Sequence, residues 1–231
     1  MVQQFTPETE TSILYPESDG QPMADNTQQF RWIVTIKENL EILFALVADV
    51  FVAGDLLWYP VQGNNKIRQA PDVMVIFARP KGDRGSYQQW QENNIIPQVV
   101  FEIISPGNRA KQMAEKLLFY QRYGVEEYYL YDPKRQELTG LQRRDHWLEP
   151  IENMNGWVSP RLEIRFELTE TGLEIYRPDG QKFLTPVELD QLRQQEQQRA
   201  EQAELQLELE RQRAERFAER LRELGVNPDE L

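Results

Sequence analysis

The sequence contains no cysteine. Disulfides and thiolate metal sites are excluded, and with them a secreted disulfide scaffold. No apolar run is long enough to span a bilayer, so no membrane association is expected. The opening residues MVQQFTPETE carry neither a basic n-region nor an apolar h-region. A signal peptide is therefore not expected, and a cytoplasmic protein is. Positive charge is also scarce. The 26 Lys and Arg stand against 38 Asp and Glu, a formal net charge of −12. An acidic surface repels phosphate backbones, which counts against strong non-specific nucleic-acid binding. A local site can still oppose the global sign, above all where a divalent cation sits in it.

What is present suits one domain of ordinary size with residues left for an appendage: 231 residues, 40% of them hydrophobic. Residues 1–26 hold Pro7, Pro16, Gly20 and Pro22 among acids and small polar residues, and read as an N-terminal loop segment. Thr27 is positioned to cap a helix over QQFRWIVTIKENLEILFALV. In it Phe30, Ile33, Val34, Ile36, Leu40, Leu43, Phe44 and Val47 recur at near-helical spacing. Strand-like segments follow: VFVAGDLLWY, DVMVIFA and QVVFEII. The first two are joined by the turn-rich PVQGNNKIRQAP. The next connection, RPKGDRGSYQQWQENNIIP, is long and polar. Its Arg79, Lys81, Arg84, Tyr87 and Trp90 could grip a phosphate backbone and stack a base, or fold back onto the domain.

NRAKQMAEKLLFYQRYG reads as a helix capped by Asn108 and stopped by Gly124. VEEYYLYDP is a strand closed by a turn, and shorter strand-like pieces follow in ELTGLQR, LEIRF and GLEIYR. The pattern predicts a mixed α/β (α+β) domain over residues 27–180. Residues 186–224 are dominated by Glu, Gln, Arg, Ala and Leu. Ala200, Ala203 and Leu207, then Ala214, Phe217, Leu221 and Leu224, have coiled-coil spacing, although Glu196 and Arg199 interrupt the seam. A long charged helix is expected, either pairing or free in solvent. Residues 225–231 form a tail.

Glu102 is out of place in its strand. Side chains of a strand alternate faces, so Val100, Glu102 and Ile104 share one face of QVVFEII, and Phe101 and Ile103 share the other. Burying an unpaired carboxylate costs several kcal/mol, roughly, so Glu102 needs a cation or donors beside it. Asp72 opens DVMVIFA directly after Pro71. If the two strands run antiparallel, Asp72 and Glu102 meet at one edge of the sheet. If the first hairpin turns near Asn64, Asp55 lies across from about Met74 and projects beside Asp72. Converging carboxylates raise one another's pKa. A hard divalent cation resolves this, and so does a lysine. Lys116 shares a helix face with Met113, Leu117 and Tyr120, and that apolar face must pack toward the sheet.

Each residue also has an ordinary reading. Asp72 would be a strand-start acid, and Asp55 a satisfied acid at a kink after Gly54. Glu102 would be a structural ion pair with Lys116 or Arg109. Lys116 would be a snorkelling lysine; Tyr120, one turn beyond it, could line the site but is more simply a core residue. Glu38 and Glu41 on the first helix could add a ligand or form a solvated face. Ser105-Pro106-Gly107-Asn108 most simply makes a turn and a cap.

Pro71-Asp72, Glu102 in a strand and an inward lysine together resemble the PD-(D/E)xK nucleases. More specifically, the chain resembles a bacterial family described as "putative restriction endonuclease", formerly a domain of unknown function. The phrases carrying the likeness are YPESDGQPMADNTQQF, VAGDLLWYP, APDVMVIFARP, RGSYQQWQE, FEIISPGNR and YGVEEYYLYDP, spread over most of residues 14 to 180. One position departs from the superfamily pattern. Ile104 stands where the ExK lysine belongs, and Lys116 on the following helix matches the displaced lysine of this family.

The resemblance implies a restriction-endonuclease-like core, with a central mixed sheet flanked by helices and a long C-terminal helix. It implies Mg²⁺- or Mn²⁺-dependent hydrolysis of DNA phosphodiester bonds. Asp72 and Glu102 would hold the metal with the Ile103 carbonyl, Asp55 would be a further ligand, and Lys116 would orient the attacking water. A homodimer is implied, since two sites cut two strands. The alternative is a non-catalytic adaptor on the same scaffold, binding a protein partner through the C-terminal helix. No histidine base is required, and the single histidine, His146, is expected in a surface loop.

Overall fold

A computed structural model of the chain describes residues 13–20, 22–105, 107 and 110–223. It divides into two units, Met1–Phe183 and Leu184–Leu231. In the first, α1 (Thr27–Leu43) leads into β1 (Val50–Gly54), β2 (Trp58–Tyr59), β3 (Val73–Phe77), β4 (Tyr87–Gln88) and β5 (Val99–Ile103). Then come α2 (Ala110–Tyr123), β6 (Glu127–Asp132), β7 (Glu137–Arg144), β8 (Trp147–Pro150), β9 (Arg165–Thr169) and β10 (Gly172–Tyr176).

Six strands form one sheet in the order β1-β3-β5-β6-β7-β8. Only β5 and β6 of this sheet run parallel, because α2 is the crossover between them. The central strands are buried on both faces, which explains their near-continuous apolar runs. On one face Ile33, Ile36 and Leu40 of α1 join Val73, Val75, Phe101 and Ile103. Phe166, Leu173 and Ile175 of β9 and β10 belong to the same cluster. On the other face Tyr120 of α2 joins Met74, Ile76, Val100 and Tyr128. A mixed sheet with a helix on each face is the architecture the sequence predicts.

Several boundaries differ from expectation. Asn26, not Thr27, caps α1: its side-chain oxygen accepts the N–H groups of Gln28 and Gln29, both at 2.9 Å. The helix ends at Leu43, which leaves Val47 outside it. VFVAGDLLWY is not one strand. It breaks at Asp55, whose φ is +49°, and Trp58 and Tyr59 turn away to pair with β4. Strand β8 carried only a four-residue signal and escaped the sequence reading. The Asn108 cap, Arg109, Leu224 and the 225–231 tail lie outside the described residues.

Among the described residues of the second unit there is a single helix, α3 (Pro186–Glu223). It opens with a capping box. The Thr185 N–H donates to Glu188 Oε2 at 2.8 Å, and the Glu188 N–H donates to Thr185 Oγ1 at 3.3 Å. Pairs such as Glu196–Arg199 at 2.8 Å and Arg211–Glu215 at 3.4 Å support it along its length. Among the described residues no helix is long and apolar enough to cross a membrane.

Candidate active site

Strand register builds the site. Gly54 lies opposite Val73, and Val73 opposite Phe101. One residue further along both ladders, Asp55, Asp72 and Glu102 fall in a row across the ends of β1, β3 and β5. Asp55 was expected opposite Met74, but Ala53 takes that place. The Asp55 N–H instead donates to the carbonyls of Pro71 and Asp72, at 3.1 and 3.2 Å. The error is two residues, and a strand's side chains repeat every two, so Asp55 keeps its position beside Asp72.

Glu102 is 2% exposed and its carboxylate is fully engaged. Its Oε2 accepts Lys116 Nζ at 2.6 Å, and its Oε1 accepts the Tyr120 hydroxyl at 2.5 Å. Both donors come from one face of α2, a turn apart. Asp72 is 6% exposed, and its Oδ2 accepts the Ile103 N–H at 2.6 Å. The Ile103 carbonyl accepts Gln29 Nε2 of α1 at 3.0 Å. Gln29 Oε1 in turn accepts the Asp25 N–H at 2.8 Å, and the Asp25 carboxylate accepts the Ser105 hydroxyl. The segment before α1 is thereby tied to the residues that follow Glu102. A cleft of about 360 Å³ opens here, lined among others by Asp19, Asp25, Asp55, Asp72, Glu115 and Lys116.

The electrostatics follow from crowding. Burial, and then the Glu102 charge, push Asp72 up to about 7, against the pull of Lys116 and the Ile103 N–H. Burial and then the charges of Asp72 and Asp19 raise Asp55 to about 6. Burial alone would lower the Lys116 ammonium, but Glu102, Asp72 and Asp55 outweigh it and hold it above its ordinary value. One ammonium thus fails to neutralise the acids around it, and the surplus negative charge favours a cation.

The donor set fits a hard divalent ion. Asp72, Glu102 and the Ile103 carbonyl offer oxygen alone. Among the described residues no three Asp, Glu, His or Cys side chains group closely enough to hold an ion. Asp55 therefore does not complete a three-carboxylate cage with Asp72 and Glu102. Two carboxylates and a carbonyl, with water for the rest, is the habit of Mg²⁺ rather than of a fully caged ion.

Other candidates lie elsewhere. Glu38 and Glu41 pair with Lys37 at 3.0 and 2.9 Å. His146 is exposed between β7 and β8. The Arg79–Gln91 loop folds back on the domain. The buried Tyr87 donates its hydroxyl to the Ile95 carbonyl at 2.7 Å. Arg84 stacks 3.9 Å over the Phe51 ring and donates to Glu92 at 2.7 Å. Trp90 packs on Tyr15, with ring centroids 4.8 Å apart. Arg84→Ala is therefore expected to cost roughly 1–2 kcal/mol of stability, read by urea unfolding. Any affinity for a DNA probe should change by less than about twofold. A larger loss of affinity with unchanged stability would return the loop to a phosphate-binding role.

Sequence reasoning missed Gln29 and left Tyr120 to the core. Gln29 carried a faint signal, a polar residue one turn before Ile33 on the buried stripe of α1. Tyr120 carried a clearer one, a hydroxyl one turn beyond the inward lysine.

A mixed sheet thus gathers two buried carboxylates and an inward lysine at its strand ends. Residues 15–171 match the Uma2 family, described as "Putative restriction endonuclease". The chain belongs to this family. Among solved structures, a "putative nuclease belonging to DUF820" from Anabaena variabilis is similar at 13% identity. That match covers 56% of this chain and 70% of the other, with a TM-score of 0.41. No curated protein matches the chain.

Proposed function

We propose that the protein is a divalent-metal-dependent endonuclease that hydrolyses DNA phosphodiester bonds. The observation that carries this reading is the buried Asp72–Glu102 pair with Lys116 on its cleft side. Family membership supports the nuclease class. Asp72, Glu102 and the Ile103 carbonyl would hold Mg²⁺ or Mn²⁺, with Asp55 at the rim. When bound, such an ion lowers the pKa of a coordinated water and neutralises charge developing on the phosphate.

The chain's own residues do the rest. The Ile103 N–H fixes Asp72 Oδ2, and the Gln29 amide also donates to that carboxylate. Gln29 aims the Ile103 carbonyl. Lys116 reaches from a flexible stem and lines the cleft, so its ammonium can serve an attacking water or a phosphate oxygen as it now serves Glu102. No histidine is needed as a base.

The test is calorimetric titration of Mg²⁺ and Mn²⁺ into the wild type and into Asp72→Ala/Glu102→Ala, with plasmid nicking assayed on the same samples. Binding and nicking are expected in the wild type and lost together in the variant. Binding without nicking would leave a phosphoester enzyme of another substrate. Neither in the wild type would sink the nuclease reading in favour of an adaptor working through α3. Light scattering on the same samples reads pairing through α3, and a homodimer is the expected mass.

A further inference from the structure

Two tyrosines stand against the Glu102 site, and only one is used. Tyr120 and Tyr128 are both essentially inaccessible to solvent, and their rings pack 5.3 Å apart. The Tyr120 hydroxyl holds Glu102 Oε1. The Tyr128 hydroxyl is buried and has no hydrogen-bond partner among the described residues. An unpaired buried hydroxyl is costly, yet Glu102 Oε1 is given to the other ring.

The two oxygens of Glu102 thus have different fates. Oε2 is held by Lys116, whose side chain is 18% exposed and lines the cleft. That donor can move away. Oε1 is held by a donor that cannot, because the Tyr120 ring is locked between Phe119 and Tyr128, with centroids 5.9 and 5.3 Å away. Rotation of the carboxylate about its own axis would break the Tyr120 bond. Glu102 is therefore prepared to offer one oxygen to the cleft and to withhold the other.

Resting on the metal-site reading above, we propose that Tyr120 is a positioning residue that holds Glu102 to single-oxygen ligation and so biases the site toward Mg²⁺ over Ca²⁺. The chemistry follows from ion size. Mg²⁺ demands near-ideal octahedral geometry, one oxygen per carboxylate, and keeps several waters. Ca²⁺ takes six to eight oxygens and accepts a carboxylate through both of its oxygens at once. A hydroxyl that holds Oε1 turned toward Tyr120 disfavours the two-oxygen mode. Freeing Oε1 restores it.

The experiment is calorimetric titration of Mg²⁺ and of Ca²⁺ into the full chain as wild type, Tyr120→Phe and Tyr128→Phe. Phenylalanine keeps each ring and its packing, and circular dichroism checks that each variant is folded. Tyr120→Phe is expected to weaken Mg²⁺ about tenfold, at the low end of outer-shell effects on metal sites. Ca²⁺ should hold or tighten, so the Mg²⁺/Ca²⁺ affinity ratio falls about tenfold. Tyr128→Phe should leave both affinities within about twofold, since its hydroxyl binds nothing. A merely structural Tyr120 would weaken both ions alike and leave the ratio unchanged, which overturns the inference. An equal shift of the ratio in Tyr128→Phe overturns it too, because packing rather than the hydroxyl would then be the cause. If the wild type binds neither ion, the metal-site reading itself fails. If it binds both and only the ratio test fails, the nuclease reading stands without this role for Tyr120.

Discussion

Asp72→Asn is expected to abolish plasmid nicking and, at the same time, to stabilise the metal-free protein at pH 8. The loss of activity should exceed 100-fold or so, because even the outer partners of metal ligands cost about 10–100-fold when removed. The gain in stability comes from linkage. In the folded protein Asp72 keeps its proton up to about 7, against an ordinary 3.8. Between those values the folded state binds a proton that the unfolded state has released. Stability therefore falls as pH rises through that window, and the loss is complete above about 7.

Asparagine carries no such charge, and its side-chain oxygen still accepts the Ile103 N–H. The advantage of Asp72→Asn over wild type should grow by roughly 2–4 kcal/mol between pH 5 and pH 8. That is several degrees in Tm for a chain of this size. Asp55, raised by burial and then by the Asp72 charge, should relax toward ordinary values in the variant. Saturating Mg²⁺ should raise the wild-type Tm at pH 8 and leave that of Asp72→Asn unmoved. Thermal melts at the two pH values, with and without the ion, read all of this. A variant less stable than wild type at pH 8 would mean that Asp72 is satisfied as an anion, and the crowding argument would fail.

That conflict is why a candidate site could be read from the sequence at all. An acid among Val99, Val100, Phe101 and Ile103 breaks strand patterning, and sequences break local rules where function asks for it. The inward face of α2 was equally legible, since Leu117 and Tyr120 fix its direction and carry Lys116 with them. Strand ladders were legible only to within two residues. The β1–β3 connection gave turn residues but no single turn type, so the partner of Asp55 was misplaced while its face was not. Beyond the Glu102–Lys116 pair, hydrogen bonds that cross between elements were not legible. Nothing local to Gln29 says that it reaches Ile103, 74 positions away. The Arg79–Gln91 loop failed for another reason. Interleaved basic and aromatic residues suit a phosphate or a stacked fold-back equally, and only Glu92 and Phe51, brought near by the tertiary fold, decide for the second.

Glu102→Ala should have the opposite effect on stability to Asp72→Asn, although it too should abolish nicking. Asp72 has the Ile103 N–H and the Gln29 amide on its carboxylate, but burial and like charge outweigh them. Glu102 has two donors, and both are buried or nearly so. Truncation leaves the Tyr120 hydroxyl, already fully buried, without an acceptor, beside a Tyr128 hydroxyl that has none. It also leaves the Lys116 ammonium without its 2.6 Å partner. Breaking a buried pair by removing one member costs about 3–5 kcal/mol. Lys116 can still turn into the cleft or toward Asp72, so the lower end, about 3 kcal/mol, is expected. Glu102→Gln keeps an oxygen for one of the two donors and should recover about half of that. Stability without metal at pH 8 should then rank Asp72→Asn above wild type, wild type above Glu102→Gln, and Glu102→Ala last, with all three variants inactive. Urea unfolding gives the ranking directly. Destabilisation by both Asp72→Asn and Glu102→Ala would describe an ordinary ion-paired core. The opposed signs fit the metal site proposed above: one carboxylate pre-positioned by fixed donors, and a second left under-compensated, which a cation would complete.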